Sequence, residues 1–309
     1  MHTRSEKPGE TNMTEPLFTD DDATDAGYRN VRAAENERMK VARQHCEELW
    51  AVFEPYADAE FLIEIRKAFD ARYWEMYLTT TLIQSGFRVK CPKPGPDVGI
   101  VFARRRIWFE ATSPQPGAKN SINRVPPRKA ISLEENPVVQ DVPNDQMMLR
   151  YFNSIDLKRQ QYEAWIKEGT ISPDDALVIA LNPRDLGHDG PDADPPRILQ
   201  AAFPIGAPTV TVDRKTGKPI AVGYEFRDAV KKASGAKVNT GIFLQKEYSC
   251  VSGLLCSRVD AANRPDEPGN DFQLVPNPNA TSLLPTEFRL KGTYFRVEPG
   301  FKVITERPS

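Results

Sequence analysis

Two short apolar segments separated by consecutive arginines constrain the fold of this chain more than any other feature. Val98–Ala103 and Ile107–Phe109 consist mainly of β-prone residues, and Arg104–Arg106 lie between them. This pattern predicts a β-hairpin with the arginines at its tip. Asp97 precedes the first strand and Glu110 follows the second. Because a hairpin brings those two ends together, we expect the carboxylates of Asp97 and Glu110 to converge.

Converging carboxylates repel each other unless a cation lies between them, and oxygen-only ligation suits Mg²⁺ or Mn²⁺. The pair therefore indicates metal-assisted hydrolysis. Two plainer interpretations stay open. Asp97 ends the turn-forming segment Lys93–Asp97 and can serve that turn alone. Glu110 can form a structural salt bridge to a nearby arginine, because an unpaired buried carboxylate is costly.

The hydrophobic pattern around the hairpin predicts alternating helices and strands. A helix and a short strand precede the hairpin, and a second helix and a further strand follow it. In chain order the predicted elements are helix Ala59–Ser85, strands Phe87–Cys91, Val98–Ala103 and Ile107–Thr112, helix Asn144–Lys167 and strand Ala176–Leu181.

This order of elements, with Pro96–Asp97 as one half-motif and Glu110–Ala111 as the start of the other, resembles the PD-(D/E)XK nuclease superfamily. The resemblance covers roughly residues 59–182. It implies an α/β, restriction-endonuclease-like core of a helix, a three-strand meander, a helix and a strand. It also implies Mg²⁺-dependent hydrolysis of nucleic-acid phosphodiester bonds, with Asp97, Glu110 and the Ala111 carbonyl as metal ligands.

Thr112 departs from the family pattern, because a lysine usually stands at that position. The lysine has migrated to the following helix in some members, and Lys158 is our candidate for its role. An ammonium there would orient the attacking water and stabilise charge on the phosphate. The alternative is that the Lys158 stem packs while its ammonium reaches solvent, which leaves Arg150 as the second choice. By three-four spacing the helical face of Lys158 also carries Tyr151, Ile155, Tyr162 and Trp165.

Glu75 is a third acidic candidate. It lies in the most apolar stretch of the first helix, Tyr73–Leu78. Relatives often carry a glutamate on this helix that binds metal or orients a metal-bound water, and the resemblance implies such a catalytic role here. The other interpretation places Glu75 on the solvent side of the helix.

The charge distribution bears on the partner. A formal net charge of −2 argues against a chain that coats nucleic acid generally, but basic residues outnumber acidic ones between Arg88 and Lys167. A locally basic core is suited to phosphate contacts, and DNA is the expected nucleic acid. The arginines at the hairpin tip can equally form a solvated turn. The candidate nucleic-acid-binding residues are Arg104, Arg105, Arg106, Arg150 and Gln161.

Four regions follow from composition and periodicity. Residues 1–26 are predicted to form a disordered acidic tail. Residues 27–58 form a helical extension, in which an amphipathic helix over Arg29–Tyr56 packs on the core or against a second copy, as in a homodimer. Residues 59–182 are the nuclease-like core, and residues 183–309 are a β-rich extension in which we identify no catalytic motif.

Several protein classes are excluded by pattern. No apolar run approaches the roughly 18 residues of a membrane span, and the polar N-terminus is not typical of a secretory signal. The four cysteines lack Cys-x-x-Cys spacing, which disfavours a zinc site and fits the reducing cytoplasm.

The alternative to a nuclease is a catalytically degenerate copy of the fold that binds nucleic acid or a protein. The nuclease and the degenerate copy differ in whether the Lys158 ammonium lies within contact distance of the Asp97 and Glu110 carboxylates.

Overall fold

The architecture is a seven-stranded mixed β-sheet with helices on both faces. The computed structural model describes residues 15–128, 141–188 and 192–307. The strand order in the large sheet is β1-β2-β3-β8-β9-β10-β11, and β4-β5 and β6-β7 form two separate hairpins. The α-helices are α1 Ala26–Ala33, α2 Glu37–Phe53, α3 Phe61–Ile65, α4 Phe69–Gln84, α5 Asn144–Lys167 and α6 Arg197–Ala202. The strands are β1 Val98–Phe102, β2 Arg105–Thr112, β3 Ala176–Leu181, β4 Ile205–Val212, β5 Pro219–Phe226, β6 Ala229–Lys231, β7 Lys237–Asn239, β8 Gly253–Cys256, β9 Gln273–Pro276, β10 Thr293–Glu298 and β11 Lys302–Glu306.

The centre of the sheet is parallel. β2, β3 and β8 run parallel to one another, β1 and β9 flank them in antiparallel pairing, and β10 runs parallel to β9. The parallel pair β2 and β3 requires a crossover, which contains α5. All six residues of β3 are apolar and buried, as expected for a parallel strand covered on both faces.

Alternating side chains of the strands enter two cores. The α4-side core receives Ala176, Val178 and Ala180 of β3, whereas the α5-side core receives Leu177, Ile179 and Leu181. This two-residue periodicity follows from the strand geometry. It fixes which face each residue of the neighbouring β2 presents.

The first core helix differs in part from its prediction. The predicted helix Ala59–Ser85 is divided into α3 and α4, with Ala68 in a non-helical conformation between them. α4 is buried on most of its circumference, and the Trp74 indole donates a hydrogen bond of 2.9 Å to the carbonyl of Ala180 in β3. That bond holds α4 against the centre of the sheet.

The first strand of the predicted meander does not form. Within Phe87–Cys91, Lys90 makes an isolated antiparallel bridge with Gly99 and the remaining residues are outside any strand. The meander prediction is therefore wrong at this strand, and β1 is the edge of the described sheet. By contrast, α5 and β3 have the predicted bounds, and mixed α/β is the confirmed fold class.

The N-terminal region is more ordered than predicted. Residues 1–14 lie outside the described residues, but Leu17 and Phe18 are buried in the α4-side core, which differs from a disordered tail ending at residue 26. The predicted helix Arg29–Tyr56 is broken at Ala34, which has a positive φ of 49°. Its apolar stripe packs within the chain rather than against a second copy. The stripe consists of Met39, Ala42, Cys46, Leu49 and Phe53.

The C-terminal region is part of the same sheet. β8 pairs with β3, so the boundary predicted at residues 182 and 183 divides a continuous structure. Within this region β4 and β5 form an antiparallel hairpin. Ile242–Leu244 form a 3₁₀-helix. In the described ranges, every helix is too short or too polar to cross a bilayer.

Candidate active site

The hairpin of β1 and β2 brings Asp97 and Glu110 together. Val98 pairs with Phe109, so the preceding and following residues face each other across the hairpin. The Asp97 N–H donates to Glu110 Oε2 over 3.2 Å, and the Ala111 N–H donates to Asp97 Oδ2 over 2.7 Å. The two acidic residues therefore converge, as the sequence pattern predicted, and each carboxylate also accepts a backbone N–H from the opposite strand end.

The turn of this hairpin is tighter than predicted. Ala103 and Arg104 occupy it with positive φ values of 48° and 63°, and β2 begins at Arg105. Two-residue hairpin loops require this backbone because it matches the strand twist. The result is a β2 strand of eight residues that carries Glu110 into the interior of the sheet.

Close packing of the hairpin depends on Gly99. Gly99 pairs with Trp108, and a Cβ at Gly99 would overlap the indole ring of Trp108. The indole N–H in turn donates a 2.9 Å hydrogen bond to Asp175 Oδ2. The bulky ring is thus fixed above the strand that leads to Asp97.

Lys158 reaches the acidic pair from α5. Its Nζ lies 2.6 Å from Glu110 Oε1, and the side chains of Lys158 and Glu110 are 24% and 3% exposed. Ile155 and Tyr162, on the same helical face, are fully buried in the α5-side core. Because that face turns inward, the ammonium contacts Glu110 rather than extending into solvent. The basic partner of Glu110 is this lysine and not an arginine.

The charged groups of the site shift one another's pKa values. Burial raises the pKa of Glu110 to about 7, the Asp97 charge adds to this increase, and Lys158 opposes it. Burial alone would lower the pKa of Lys158, but the nearby Glu110 and Asp97 outweigh it and raise that pKa. Burial therefore disfavours the ionised form of Glu110 most strongly, and the Lys158 ammonium offsets this only in part.

Glu75 joins the same electrostatic group from α4. Its carboxylate is buried and forms a 2.7 Å ion pair with Arg72, which excludes the solvent-facing interpretation. Burial and the Asp97 charge raise the pKa of Glu75 to about 7, against the effects of Arg72 and Lys93. Sequence reasoning missed both basic residues, although the i,i+3 spacing of Arg72 and Glu75 on one helix was a usable signal.

The donor set is small. Among the residues that the structure describes, no group of three or more His, Cys, Asp and Glu side chains is arranged to hold a metal ion. Any metal at this site would rest on the two carboxylates of the hairpin and on backbone oxygen. Both are hard ligands suited to Mg²⁺.

Within the described ranges, no hydrogen bond or ion pair joins the other candidate residues to Asp97 or Glu110. The Arg150 guanidinium donates to the Asn123 carbonyl over 3.0 Å and lies against Gly117, where a Cβ would come within 2.7 Å of it. Gln161 is exposed on α5. Two of the three hairpin arginines have partners at the protein surface: Arg105 donates to the Leu283 carbonyl, and Arg106 lies 3.5 Å from Asp175 and over the Trp108 ring.

Comparison with known proteins gives no family for this chain. No family model matches it, and searches of curated proteins and of solved structures find no significant match. The functional argument therefore rests on the site itself.

Proposed function

We propose that this protein is a metal-dependent nuclease that hydrolyses nucleic-acid phosphodiester bonds on a restriction-endonuclease-like core. The observation that supports this most is the convergence of Asp97, Glu110 and Lys158. They come from three separate segments, and Lys158 Nζ lies 2.6 Å from Glu110 Oε1. Two acids can hold a divalent cation, and a nearby lysine can stabilise charge on a phosphate, so the three side chains together suit metal-assisted phosphoryl chemistry.

The residues present fit a divalent cation. Asp97 and Glu110 offer carboxylate oxygens and Ala111 offers its carbonyl, and Mg²⁺ commonly binds through one or two carboxylates while keeping several waters. Burial and the nearby Asp97 charge raise the pKa of Glu110, and a bound cation would stabilise its ionised form. When bound, Mg²⁺ or Mn²⁺ would supply Lewis-acid stabilisation of the phosphate and lower the pKa of a coordinated water.

The protein side chains have distinct roles in this proposal. Asp97 and Glu110 hold the cation, and their mutual backbone hydrogen bonds fix their separation. Lys158 orients the attacking water and stabilises charge on the phosphate, as a preorganised cation in a poorly hydrated site can. Glu75, held by Arg72, adds negative charge behind Asp97 and assists in positioning water.

One observation favours a different function, a non-catalytic nucleic-acid-binding or protein-binding module. The described residues contain no three-carboxylate group for a metal, and the Lys158–Glu110 pair can be a purely structural ion pair. Such a protein would retain the fold and bind a partner without cleaving it. The two functions differ in their response to Mg²⁺.

The experiment that distinguishes the two functions measures both metal binding and cleavage of nucleic acid. We would titrate Mg²⁺ and Mn²⁺ into the wild type, Asp97→Asn and Glu110→Gln, and assay cleavage of single- and double-stranded DNA and RNA. A nuclease loses cleavage in both variants. It also loses the metal-induced increase in melting temperature, because both changes remove a ligand charge.

Lys167→Met is a suitable control, since Lys167 is exposed in the last turn of α5 and lies away from the carboxylates. It should retain both cleavage and metal response. Metal-independent binding of nucleic acid without cleavage would instead support the non-catalytic module. Wild-type cleavage in both acid variants would reject the assigned site.

A further inference from the structure

A groove runs along the outer edge of β1, beside the segment that precedes the hairpin. Lys90 and Gly99 exchange two backbone hydrogen bonds there, of 2.8 Å to the Gly99 carbonyl and 2.7 Å to the Lys90 carbonyl. Before Lys90 the chain separates from β1, and a cavity of about 550 Å³ lies between residues 86–90 and residues 99–101. One side of this groove is therefore the edge of a strand.

The backbone of Val101 is directed to this edge. Because both backbone groups of Gly99 pair outward with Lys90, the alternation of an antiparallel strand also turns the N–H and C=O of Val101 away from β2. A continuous ladder would pair Val101 with Arg88, but in the described part of the chain Val101 has no hydrogen bond outside the hairpin of β1 and β2. Val101 is also 61% exposed. One donor and one acceptor of the sheet edge can therefore pair with an added chain.

The walls of the groove are mainly apolar. Val101 and Trp108 line it from the hairpin, and Phe87 and Val89 line it from the preceding segment. Phe87 and Val89 are partly buried because they pack against the α4-side core. Side chains of an extended peptide point alternately to the two sides of its backbone, so apolar walls beside an open strand edge suit such a peptide.

The charged residues that line the groove are all basic. They are Arg88, Lys90 and Arg106. Over residues 15–128, 141–188 and 192–307, Arg88 and Lys90 have no carboxylate oxygen within 4.0 Å, and both are exposed. Arg106 pairs with Val101 across the hairpin, so its side chain lies on the same face as that of Val101. A strand that pairs with Val101 would therefore meet positive charge along its length.

We propose that this groove binds an acidic segment of another protein, which adds to β1 as an extended strand. Backbone pairing with Val101 supplies affinity, and the apolar walls receive alternate side chains. The carboxylates of the segment are attracted by Arg88, Lys90 and Arg106, which favours an acidic partner over a basic one. This interaction does not depend on the proposed nuclease activity.

A nucleic-acid strand fits the groove less well than a peptide. Phosphate oxygens accept hydrogen bonds but cannot donate one to the Val101 carbonyl. Trp108 is 4% exposed and its ring lies against Gly99, so it has no free face on which a base could stack.

Fluorescence anisotropy with labelled peptides and the full chain, without metal, tests this proposal. The probe is a short capped peptide that alternates valine and glutamate. It should bind saturably, and a peptide with lysine in place of glutamate should bind about tenfold more weakly or worse. N-methylation of alternate backbone amides should have a similar effect, because it removes the donors that pair with the strand edge.

Three outcomes would overturn the assignment. They are no binding of the acidic peptide, equal binding of the acidic and basic peptides, and displacement of the acidic peptide by single-stranded oligothymidylate at lower concentration than by unlabelled peptide. The last result would identify the groove as a nucleic-acid contact.

Variants locate the binding. Val101→Pro removes the outward N–H, which an edge strand tolerates, whereas Val101→Thr retains it. The proline variant, with folding verified by circular dichroism, should bind the acidic peptide about tenfold more weakly, and the threonine variant should bind it like the wild type.

A double variant tests the charges without altering the strand. Arg88→Gln with Lys90→Gln should weaken the acidic peptide about tenfold. Arg214→Gln with Lys215→Gln is the matched control, because these two cations are exposed on the turn between β4 and β5. Unchanged affinity in the Arg88 and Lys90 double variant, or an equal loss in the control, rejects the groove.

Discussion

At the scale of single residues, the lysine on α5 decides what the acidic pair can do. The aliphatic stem of Lys158 lies on a buried helical face, and its ammonium pairs with the buried Glu110. A structural lysine and a catalytic lysine would both satisfy these contacts. They differ in how much the cleavage rate falls when the charge is removed at constant side-chain volume.

We expect Lys158→Met to lower the cleavage rate by about 10²–10³, because loss of one preorganised group costs roughly 2.7–4 kcal/mol. Lys158→Arg should recover only part of the rate, since the planar guanidinium does not reproduce a compact ammonium. Single-turnover kinetics would measure this, with circular dichroism to verify folding. Full activity of Lys158→Met would exclude Lys158 from the chemistry.

The pH dependence of stability follows from Glu110. Its pKa in the folded state, about 7, exceeds the ordinary carboxyl value of 4.5. Between these values the folded protein holds a proton that the unfolded chain has released, so stability falls as pH rises. Below about pH 4.5, Glu110 is protonated in both the folded and the unfolded state, so its ionisation does not lower the stability.

Without metal, the melting temperature of the wild type should therefore decrease more from pH 5 to pH 8 than that of Glu110→Gln. The amide of the variant does not ionise, so this part of the pH dependence disappears. Thermal denaturation monitored by circular dichroism provides the comparison. Identical pH profiles for the two proteins would contradict the raised pKa.

At the scale of secondary-structure elements, the packing of the β1–β2 hairpin fixes the position of Asp97. Gly99 gives Trp108 room to lie across β1, two residues after Asp97. Since β1 is the sheet edge in the described residues, it has one strand partner, and on its outer side it has only the isolated bridge between Lys90 and Gly99. Any shift of β1 relative to β2 changes the separation of the two acids.

Gly99→Ala should destabilise the protein by about 1–3 kcal/mol, because the added methyl forces the indole or the strand to move. It should also reduce metal affinity through displacement of Asp97. Val101→Ala on the same strand is the matched control, since Val101 is 61% exposed and its truncation is expected to be nearly neutral. Chemical denaturation and metal titration measure both effects. Equal stabilities of the two variants would show that the ring adapts without cost.

At the scale of the whole molecule, both halves of the described chain contribute strands to one continuous β-sheet. β3 lies between β2 and β8, and the buried faces of β3 pack against residues from both halves. Removal of the C-terminal half would leave β3 as an exposed edge strand and uncover much of the α5-side core. Exposed edges of this kind favour aggregation.

A chain truncated after Asn182 should therefore fail to fold cooperatively, and the full chain should unfold in one transition. Calorimetry and near-ultraviolet circular dichroism would check both statements. A soluble, monomeric truncated chain with a cooperative transition would show that residues 59–182 form an independent domain, as the sequence predicted.

The sequence by itself determined the elements whose signals are local. The bounds of α5 and β3 follow from periodicity and from a continuous apolar run, and the convergence of Asp97 and Glu110 follows from hairpin geometry. The inward orientation of Lys158 follows from the helical spacing of its neighbours. These features depend on residues close in the chain, so local pattern is sufficient to predict them.

Only the tertiary structure decided the features that depend on distant partners. Residues 87–91 have β-prone composition but lack continuous pairing, and Leu17 and Phe18 are ordered because apolar surface from remote helices receives them. The pairing of β8 with β3 joins segments more than seventy residues apart. A cavity after β8 likewise combines Asp192 with Gln273. The stabilisation of such contacts comes from burial and pairing that exist only after folding, and no local pattern encodes it.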